Sequence, residues 1–249
     1  MKVSIITVVY NNKDTILDAI DSVLNQNYDD IEYIIIDGNS TDGTIDIIKS
    51  YGNKISQFIS EPDSGIYDAM NKGIRLATGD VVGILNSDDF YIDDKVIGRV
   101  VGEFEEKGVD SLFADLVYVK PDNLKKYVRR YSSKSFKPSK FAYGWMPAHP
   151  TFFVKKEFYD KHGLYKTDYQ IASDYELLIR FLHKYKLSYS YIDAVLTVMR
   201  MGGASTSGLK SNWILNKEIL RGCRENGIRT SLVKIYSKYP KKILELIKK

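Results

Sequence analysis

Two adjacent carboxylates follow an apolar run in the stretch ILNSDDF at positions 84–90. Ionised neighbours repel each other, so Asp88 and Asp89 need a cation or hydrogen-bond donors beside them. In an extended chain their side chains point to opposite faces, which favours different roles for the two. One would accept hydrogen bonds from ligand hydroxyls, and the other would hold Mg²⁺ or Mn²⁺ with water and phosphate oxygens. The alternative is that Asp88 caps the next helix and Asp89 is solvated.

Three further polar segments follow predicted buried strands, namely YNN at 10–12, DGNSTDG at 37–43 and SEPDSG at 60–65. In open α/β sheets, ligands bind outside the carboxyl ends of the parallel strands. We therefore expect these segments and Asp88 to surround one ligand site. For Asp37, which directly follows a strand, ligand contact explains its position at least as well as a turn or a helix cap does.

The first 120 residues alternate between apolar runs typical of buried strands and stretches with helical spacing. Asn12 is predicted to cap the first helix. Short connections between the elements predict an α/β fold, with a mostly parallel, Rossmann-like sheet covered by helices on both faces. The predicted strands are 3–10, 31–37, 55–60, 80–86 and 111–119, and the helices start after Asn12, at Asp42, at Gly65 and near Asp93.

After Lys120 the pattern changes to a basic, aromatic stretch at 127–153, which is typical of a substrate-binding excursion. A helix is predicted at 172–185, a strand or hairpin at 188–200, and a basic helical remainder. The glycine pair at 202 and 203 lies between them and favours a mobile lid, because glycine permits large changes of the backbone dihedrals.

Composition excludes several classes of protein. The single cysteine, Cys223, excludes an intrachain disulfide framework. No apolar run approaches the ~20 residues of a membrane span, and the first is too short for a signal peptide, so a cytoplasmic location is expected. The formal charge of +4 is concentrated in the C-terminal half, which favours an anionic partner. Nucleic acid is not expected to be that partner, since zinc-finger, helix-turn-helix and RNA-binding patterns are lacking.

Neither GxGxxG after the first strand nor GxxxxGK[ST] occurs in the chain. The usual backbone cradles for dinucleotides and for P-loop phosphates are therefore missing. Phosphates would need a metal and basic side chains instead.

The segments VSIITVVYNN, IIIDGNSTDGT and ATGDVVGILNSDDF, in this order and spacing, resemble the family 2 glycosyltransferases with the GT-A fold. The resemblance covers about the first 200 residues. It implies a nucleotide-sugar donor, a divalent metal (Mn²⁺ or Mg²⁺) and inversion at the anomeric carbon of the sugar.

The resemblance also implies roles for residues of the donor site. Asp37 would accept a hydrogen bond from the base, usually uracil, with Tyr10 and the backbone near Val8 as the wall of that pocket. Asp88 would contact the ribose or the sugar, and Asp89 would bind the metal.

Two positions depart from the family pattern. Ser87 stands where a strict DxD motif has its first Asp, and we assign it to the nucleotide-sugar site. Met70 stands where many relatives have an arginine, so Lys72 or Arg75 is predicted to replace that cation.

In the acceptor half, the family's catalytic base lies near the start of a helix, which matches QIASDYELL. Asp174 is predicted to be the base that takes the proton of the acceptor hydroxyl, with Glu176 as the alternative. The competing explanation is that Ser173 or Asp174 only caps the helix. His149 and Arg200 are further candidates for contact with the metal or the diphosphate.

We expect residues 1–205 to form the GT-A domain, with 1–120 as the nucleotide-sugar half and 121–205 as the acceptor half, and 206–249 to form a basic helical extension. The basic, apolar tail at 230–249 favours an interfacial helix on anionic lipid at the inner face of the cell membrane, although an ordinary surface helix fits nearly as well.

The predicted activity is inverting, metal-dependent transfer of a sugar from a UDP-sugar to a glycan acceptor, lipid-linked through a carrier such as undecaprenyl, in bacterial polysaccharide synthesis. The alternatives are a nucleotidyltransferase and an inactive nucleotide- or carbohydrate-binding module.

Overall fold

The computed structural model describes residues 1–202 and 209–237. Strands and helices alternate through the first half, as the periodicity predicts. The elements are β1 (Val3–Val9), α1 (Ile16–Leu24), β2 (Ile31–Asp37), α2 (Thr44–Ser50), β3 (Gln57–Ser60), α3 (Ile66–Leu76), β4 (Val81–Ile84), β5 (Asp89–Tyr91) and α4 (Val96–Lys107).

The second half begins with a long hairpin and ends in helices. Its elements are β6 (Ser111–Lys120), β7 (Asn123–Tyr131), β8 (Phe153–Lys155), α5 (Glu157–His162), α6 (Ser173–Ile179), β9 (Tyr189–Arg200), α7 (Leu209–Glu225) and α8 (Leu232–Tyr236). Helix α6 continues into a π-helical turn at Arg180–Lys184.

Both halves contribute to one sheet, whose strand order among the described residues is β3-β2-β1-β4-β8-β6-β9-β5, with β7 paired to β6. Strands β3, β2, β1 and β4 are parallel, and β6 is parallel to β9. Strand β8 runs antiparallel between β4 and β6 and joins the halves. The predicted α/β fold with a sheet flanked by helices is confirmed.

Strand β1 is buried on both faces, which explains its continuous apolar sequence. Ile6 and Val8 pack in the core on the side of α3 and α6, whereas Ile5 and Val9 pack in the core on the side of α1 and α4. The side chains of the parallel strands thus fill two cores, while the polar residues that follow the strands lie at the sheet edge.

Two local predictions were wrong, those for Asn12 and for residues 127–131. Asn12 does not cap α1 with its side chain; it supplies its carbonyl to the amide of Ile16, and Thr15 is the N-cap residue. Residues 127–131 belong to β7 rather than to an irregular excursion. The strand or hairpin predicted at 188–200 is a single strand, β9.

Parts of two predicted segments, 203–208 of the glycine-containing loop and 238–249 of the tail, lie outside the described residues. In the described part of the chain, no helix has the length and apolar character needed to cross a membrane.

Candidate active site

A cavity of about 660 Å³ opens at the carboxyl ends of β1 and β4. Residues from the nucleotide-sugar half (1–120, hereafter the donor half), from the acceptor half and from α7 line it together. They include Val8, Tyr10, Asn12, Asp63, Ile66, Tyr67, Ser87, Asp88, Tyr118, Tyr131, Met146, His149, Gln170, Asp174, Tyr175, Met199, Leu215 and Ile219. The position agrees with the sequence expectation of a ligand site at this edge of the sheet.

The two adjacent carboxylates separate as the strand pleat predicts. Asp88 lies in the turn after β4 and lines the cavity, and burial raises the pKa of its carboxyl group. Asp89 starts β5, opposite Met199 of β9, and is fully buried. Burial, followed by the charge of Asp88, raises the pKa of Asp89 well above its usual value. The pair is therefore costly to ionise without a cation.

The surroundings of Asp89 fit a divalent cation. Its Oδ1 atom and the Oδ1 atom of Asn86 are buried without a hydrogen-bond partner, and the contact from Asn86 Nδ2 to Asp89 Oδ2 is long at 3.4 Å. Carboxylate and amide oxygens are ligands that Mn²⁺ and Mg²⁺ accept. Within the described ranges, no group of three or more acidic, histidine or cysteine side chains is placed to hold an ion. A metal here would take its other ligands from water and phosphate.

Ser87 and Arg200 hold the turn that carries the carboxylates. Ser87 Oγ accepts a hydrogen bond from Asn12 Nδ2 at 2.8 Å, and Ser87 O accepts one from Thr15 Oγ1 at 2.9 Å. Arg200 Nη1 donates to Asp88 O at 2.6 Å, and its Nη2 pairs with Asp18. Ser87 lines the cavity, whereas Arg200 is buried behind the turn.

Of the three residues predicted to form the nucleobase pocket, two line the cavity. Val8 and Tyr10 line the cavity, and Tyr10 is 65% exposed. Asp37 is fully buried and does not line it; its carboxylate accepts hydrogen bonds from Ser40 N, Ser40 Oγ and Ser60 Oγ at 3.0, 2.5 and 2.7 Å. In this arrangement Asp37 fixes the loop after β2.

Lys72 is not brought to the cavity. Its ammonium group pairs with Glu61 at 2.8 Å and donates to Pro62 O at 2.9 Å, so it fastens the loop before α3. Its alternative, Arg75, is exposed and does not line the cavity either. The predicted replacement for the family's arginine is therefore not found at the cavity wall.

His149 lines the cavity as a neutral imidazole. Burial lowers its pKa to about 4, and its Nε2 atom shares a hydrogen bond with Tyr165 Oη at 2.7 Å. The amide of Asn71 in turn holds the backbone of Tyr165 through two hydrogen bonds, at 2.8 and 2.9 Å. A neutral imidazole can bind a metal or donate a hydrogen bond, but it supplies no positive charge for a diphosphate.

Asp174 lines the cavity from the first turn of α6. Burial raises the pKa of its carboxyl group to about 7, with a smaller contribution from Glu218. Ala172 occupies the N-cap position, so capping does not account for Ser173 or Asp174. Glu176 is fully buried against Arg180 and Asn226, away from the cavity. The structure therefore favours Asp174 over Glu176 as the base candidate.

Sequence reasoning missed several residues of the cavity wall. Tyr118 and Tyr131 come from the β6–β7 hairpin, and Leu215 and Ile219 come from α7. The helical spacing of Leu215 and Ile219 is typical of an apolar helix face, but it does not indicate that this face would line the ligand cavity.

Solved structures resemble the chain over nearly its whole length. Residues 1–349 of S. aureus TarS in complex with UDP-GlcNAc give a TM-score of 0.70 at 18% identity, covering 92% of this chain and 68% of that one. The chain spans 41% of the longer TarS chain. The mannosyltransferase PcManGT from Pyrobaculum calidifontis, in complex with GDP-Man and Mn²⁺, gives 0.63 at 17% identity, covering 88% and 64%. The fold is that of the GT-A glycosyltransferases.

The family follows from the sequence match. The model of glycosyl transferase family 2 matches residues 4–163, and the chain belongs to this family. An uncharacterized glycosyltransferase of Rickettsia typhi is 32% identical over 231 residues, covering 88% of this chain and 70% of that protein. A PGL/p-HBAD biosynthesis glycosyltransferase of Mycobacterium tuberculosis is 28% identical over 234 residues, covering 90% and 86%. The predicted glycosyltransferase activity is confirmed, which sets the nucleotidyltransferase alternative aside.

Proposed function

We propose that this glycosyltransferase uses a UDP-sugar and Mn²⁺ or Mg²⁺, and that it transfers the sugar with inversion to a hydroxyl group of a lipid-linked glycan. The negative charge of the cavity lining is the observation that supports the metal requirement. Three carboxylates line it, those of Asp63, Asp88 and Asp174, and no Lys or Arg among the described residues does so. A diphosphate would be repelled here unless a cation accompanied it.

Asp89 is proposed to hold the metal, with Asp88 beside it facing the cavity. The unpartnered Oδ1 atoms of Asp89 and Asn86 support this assignment, because a cation would satisfy buried oxygens that the protein leaves without donors. His149, which also lines the cavity, is proposed to contact the metal or the diphosphate. A bound divalent cation would stabilise the negative charge that builds on the departing diphosphate.

On the donor side, Val8 and Tyr10 are proposed as the wall against the uracil ring, and Asp88 as the acceptor for ribose or sugar hydroxyls. Asp63 also lines this side of the cavity. The hydrogen bond between the base and Asp37 stays a prediction. Support for uridine comes from the TarS complex with UDP-GlcNAc, whereas the PcManGT complex holds GDP-Man. The titration with UDP and GDP described below therefore tests whether the nucleobase is uracil or guanine.

Asp174 is proposed to act as general base. It takes the proton from the acceptor hydroxyl while that oxygen forms a bond to the anomeric carbon and the bond from this carbon to the UDP oxygen breaks. A single displacement of this kind inverts the configuration. A carboxyl pKa of about 7 suits the role, since the group is then substantially ionised near neutral pH yet still basic.

A lipid-linked acceptor is supported by the end of the described chain. Helix α8 exposes Leu232, Val233 and Tyr236, with Val233 81% exposed, and Lys234 is exposed between them. Apolar side chains beside lysine favour contact with an anionic membrane surface. The M. tuberculosis relative is named for PGL/p-HBAD biosynthesis, and a lipid-linked acceptor is proposed here for this chain.

The first experiment is calorimetric titration of the protein with UDP and with GDP, each with and without MnCl₂. We expect UDP to bind in the presence of Mn²⁺ and to bind much more weakly without it. Preference for GDP would reject the uridine assignment, and equal UDP binding without metal would reject the metal requirement. Failure of both nucleotides to bind would overturn the proposed donor site.

A further inference from the structure

Helix α7 holds the loop that leads to Asp174 at three successive points. Glu225 Oε2 accepts from Lys166 Nζ at 2.7 Å, and one turn earlier Arg221 pairs with Asp168. One turn earlier again, Glu218 contacts the backbone just before α6. The spacing of 218, 221 and 225 places all three side chains along one side of the helix.

At the third of these points, the carboxylate of Glu218 accepts hydrogen bonds from three consecutive backbone amides. Glu218 Oε1 accepts from Gln170 N at 2.7 Å, and Glu218 Oε2 accepts from Ile171 N and Ala172 N, both at 2.9 Å. Hydrogen bonds to a charged acceptor are stronger than neutral ones. They fix the backbone two residues before Asp174, in a loop that otherwise belongs to no helix or strand.

The same loop is also held by a side chain of α3. Tyr67 of α3 donates its hydroxyl to Ile171 O at 2.5 Å. Glu218 therefore fixes the amide face of this peptide segment and Tyr67 fixes a carbonyl of it. With both restrained, the direction in which the first turn of α6 enters the cavity is restrained as well.

Helix α7 also forms part of the cavity wall. Leu215 and Ile219, three residues before and one residue after Glu218, line the cavity. Gly222, one turn later, packs against α6, where a Cβ atom would lie in ordinary contact at 3.5 Å from Glu176 Cβ. This helix lies beyond residues 4–163, the part that the family model matches.

We propose that Glu218 is a positioning residue for catalysis, which holds the 170–172 backbone so that Asp174 faces the acceptor hydroxyl. The inference rests on the proposed role of Asp174 as base. This role makes helix α7 a component of the acceptor site of this enzyme.

The test compares Glu218→Gln with Glu157→Gln, which removes a carboxylate from an exposed site on α5. The amide retains one acceptor but places an NH₂ group against backbone N–H donors. We expect faster hydrogen–deuterium exchange of the 170–172 amides in Glu218→Gln and no change there in the control. Unchanged exchange would overturn the proposal. If Glu218→Gln does not fold, Glu218→Asp, with its carboxylate one methylene further back, takes its place.

The kinetic arm measures UDP release from a UDP-sugar panel with Mn²⁺, with water as acceptor. Glu218→Gln should lower kcat by about tenfold to a hundredfold, because small displacements of a catalytic group have effects of this size. The affinity for UDP should stay the same. A purely structural role would lower the amount of folded protein, leaving kcat per folded enzyme unchanged, and that result would reject the inference.

The pH profile supplies a readout specific to the base. Removing the charge of Glu218 should lower the pKa of Asp174, so the acidic limb of kcat/KM should move to lower pH. The other titratable groups that face Asp174, Tyr67 and Tyr165, stay neutral because burial raises the pKa of both. An unmoved limb would contradict direct coupling between the two carboxylates.

Asp174→Asn separates failure of this inference from failure of the proposed function. If Asp174→Asn retains full UDP release, the assignment of the base is wrong and the role of Glu218 falls with it. If Asp174→Asn is inactive and Glu218→Gln is unaffected in exchange and in kcat, only the inference about Glu218 is wrong.

Discussion

The hydroxyl of Ser87 accepts a hydrogen bond from the side-chain amide of Asn12, at 2.8 Å. This contact joins the turn after β1 to the turn after β4, and both residues line the cavity. At the position where a strict DxD motif has a metal-binding Asp, this chain thus has a side chain that braces the neighbouring turn. The brace fixes the backbone from which Asp88 and Asp89 project.

Removing the amide in Asn12→Ala should loosen the turn that carries the two aspartates. We expect a loss of about 1 kcal/mol in the free energy of unfolding, the usual contribution of one hydrogen bond, and weaker UDP binding in the presence of Mn²⁺. Urea unfolding and calorimetry measure the two effects. Asn25→Ala, at an exposed asparagine after α1, is the control. Equal UDP affinity in Asn12→Ala and the control would contradict the bracing role.

Replacing Asp89 by Asn should remove the benefit of metal for nucleotide binding. The variant retains the shape of the side chain but has no negative charge to hold a cation, so Mn²⁺ should no longer strengthen UDP binding. Parallel titrations of parent and variant, with and without MnCl₂, measure this. Asp63→Asn, at the same cavity but away from the pair, should keep the effect of Mn²⁺. Retention of that effect in Asp89→Asn would move the metal site elsewhere.

The donor half of the fold was largely predictable because its signals are local. Alternating periods marked β1 to β4 and their helices, and the polar residues after each strand marked the ligand edge. The pleat of an extended chain also predicted that Asp88 and Asp89 would face different surroundings, as they do. Asn12 was assigned a local cap, whereas its amide bonds to Ser87, 75 residues away in the chain.

The rest of the sheet and of the site depends on contacts between segments that are distant in the chain, which local patterns do not encode. Strand β5 has only three residues and is defined by its partner β9, more than a hundred positions later. Glu218 lies on a helix that the sequence marked only as basic and helical, yet its carboxylate binds backbone amides of the loop before α6. Lys72 likewise forms an ion pair with Glu61 and does not line the cavity.

The exposed face of α8 should bind anionic lipid. Replacing Val233 by Asp in the full chain adds a negative charge to this face and removes apolar area worth about 1 to 2 kcal/mol if it is buried in lipid. We expect at least a tenfold loss of binding to phosphatidylglycerol vesicles, measured by co-sedimentation. Asp110→Asn, far along the chain in the turn before β6, is the control. Equal binding of parent and Val233→Asp would remove α8 from the membrane contact.

The raised pKa of Asp174 predicts a pH-dependent cost to folding. The folded-state pKa of about 7 exceeds the usual value of 3.8, so between these pH values the folded state binds more protons and the parent loses stability as pH rises. Asp174→Asn has no such loss. Its free energy of unfolding relative to the parent should therefore be higher at pH 8 than at pH 4 by roughly 1 to 3 kcal/mol, an amount that allows for the partial exposure of the group.

Urea unfolding of both proteins at the two pH values measures this difference, with Asp122→Asn on the exposed turn after β6 as the control. Asp174→Asn should also release UDP about a hundredfold more slowly or worse, because a general base usually contributes a factor of this size. Gain in stability at pH 8 together with loss of turnover would identify Asp174 as a group kept basic at the expense of stability. A stability difference that does not change with pH would mean that Asp174 is ionised at an ordinary pKa, and the physical case for it as a base poised near neutrality would fail.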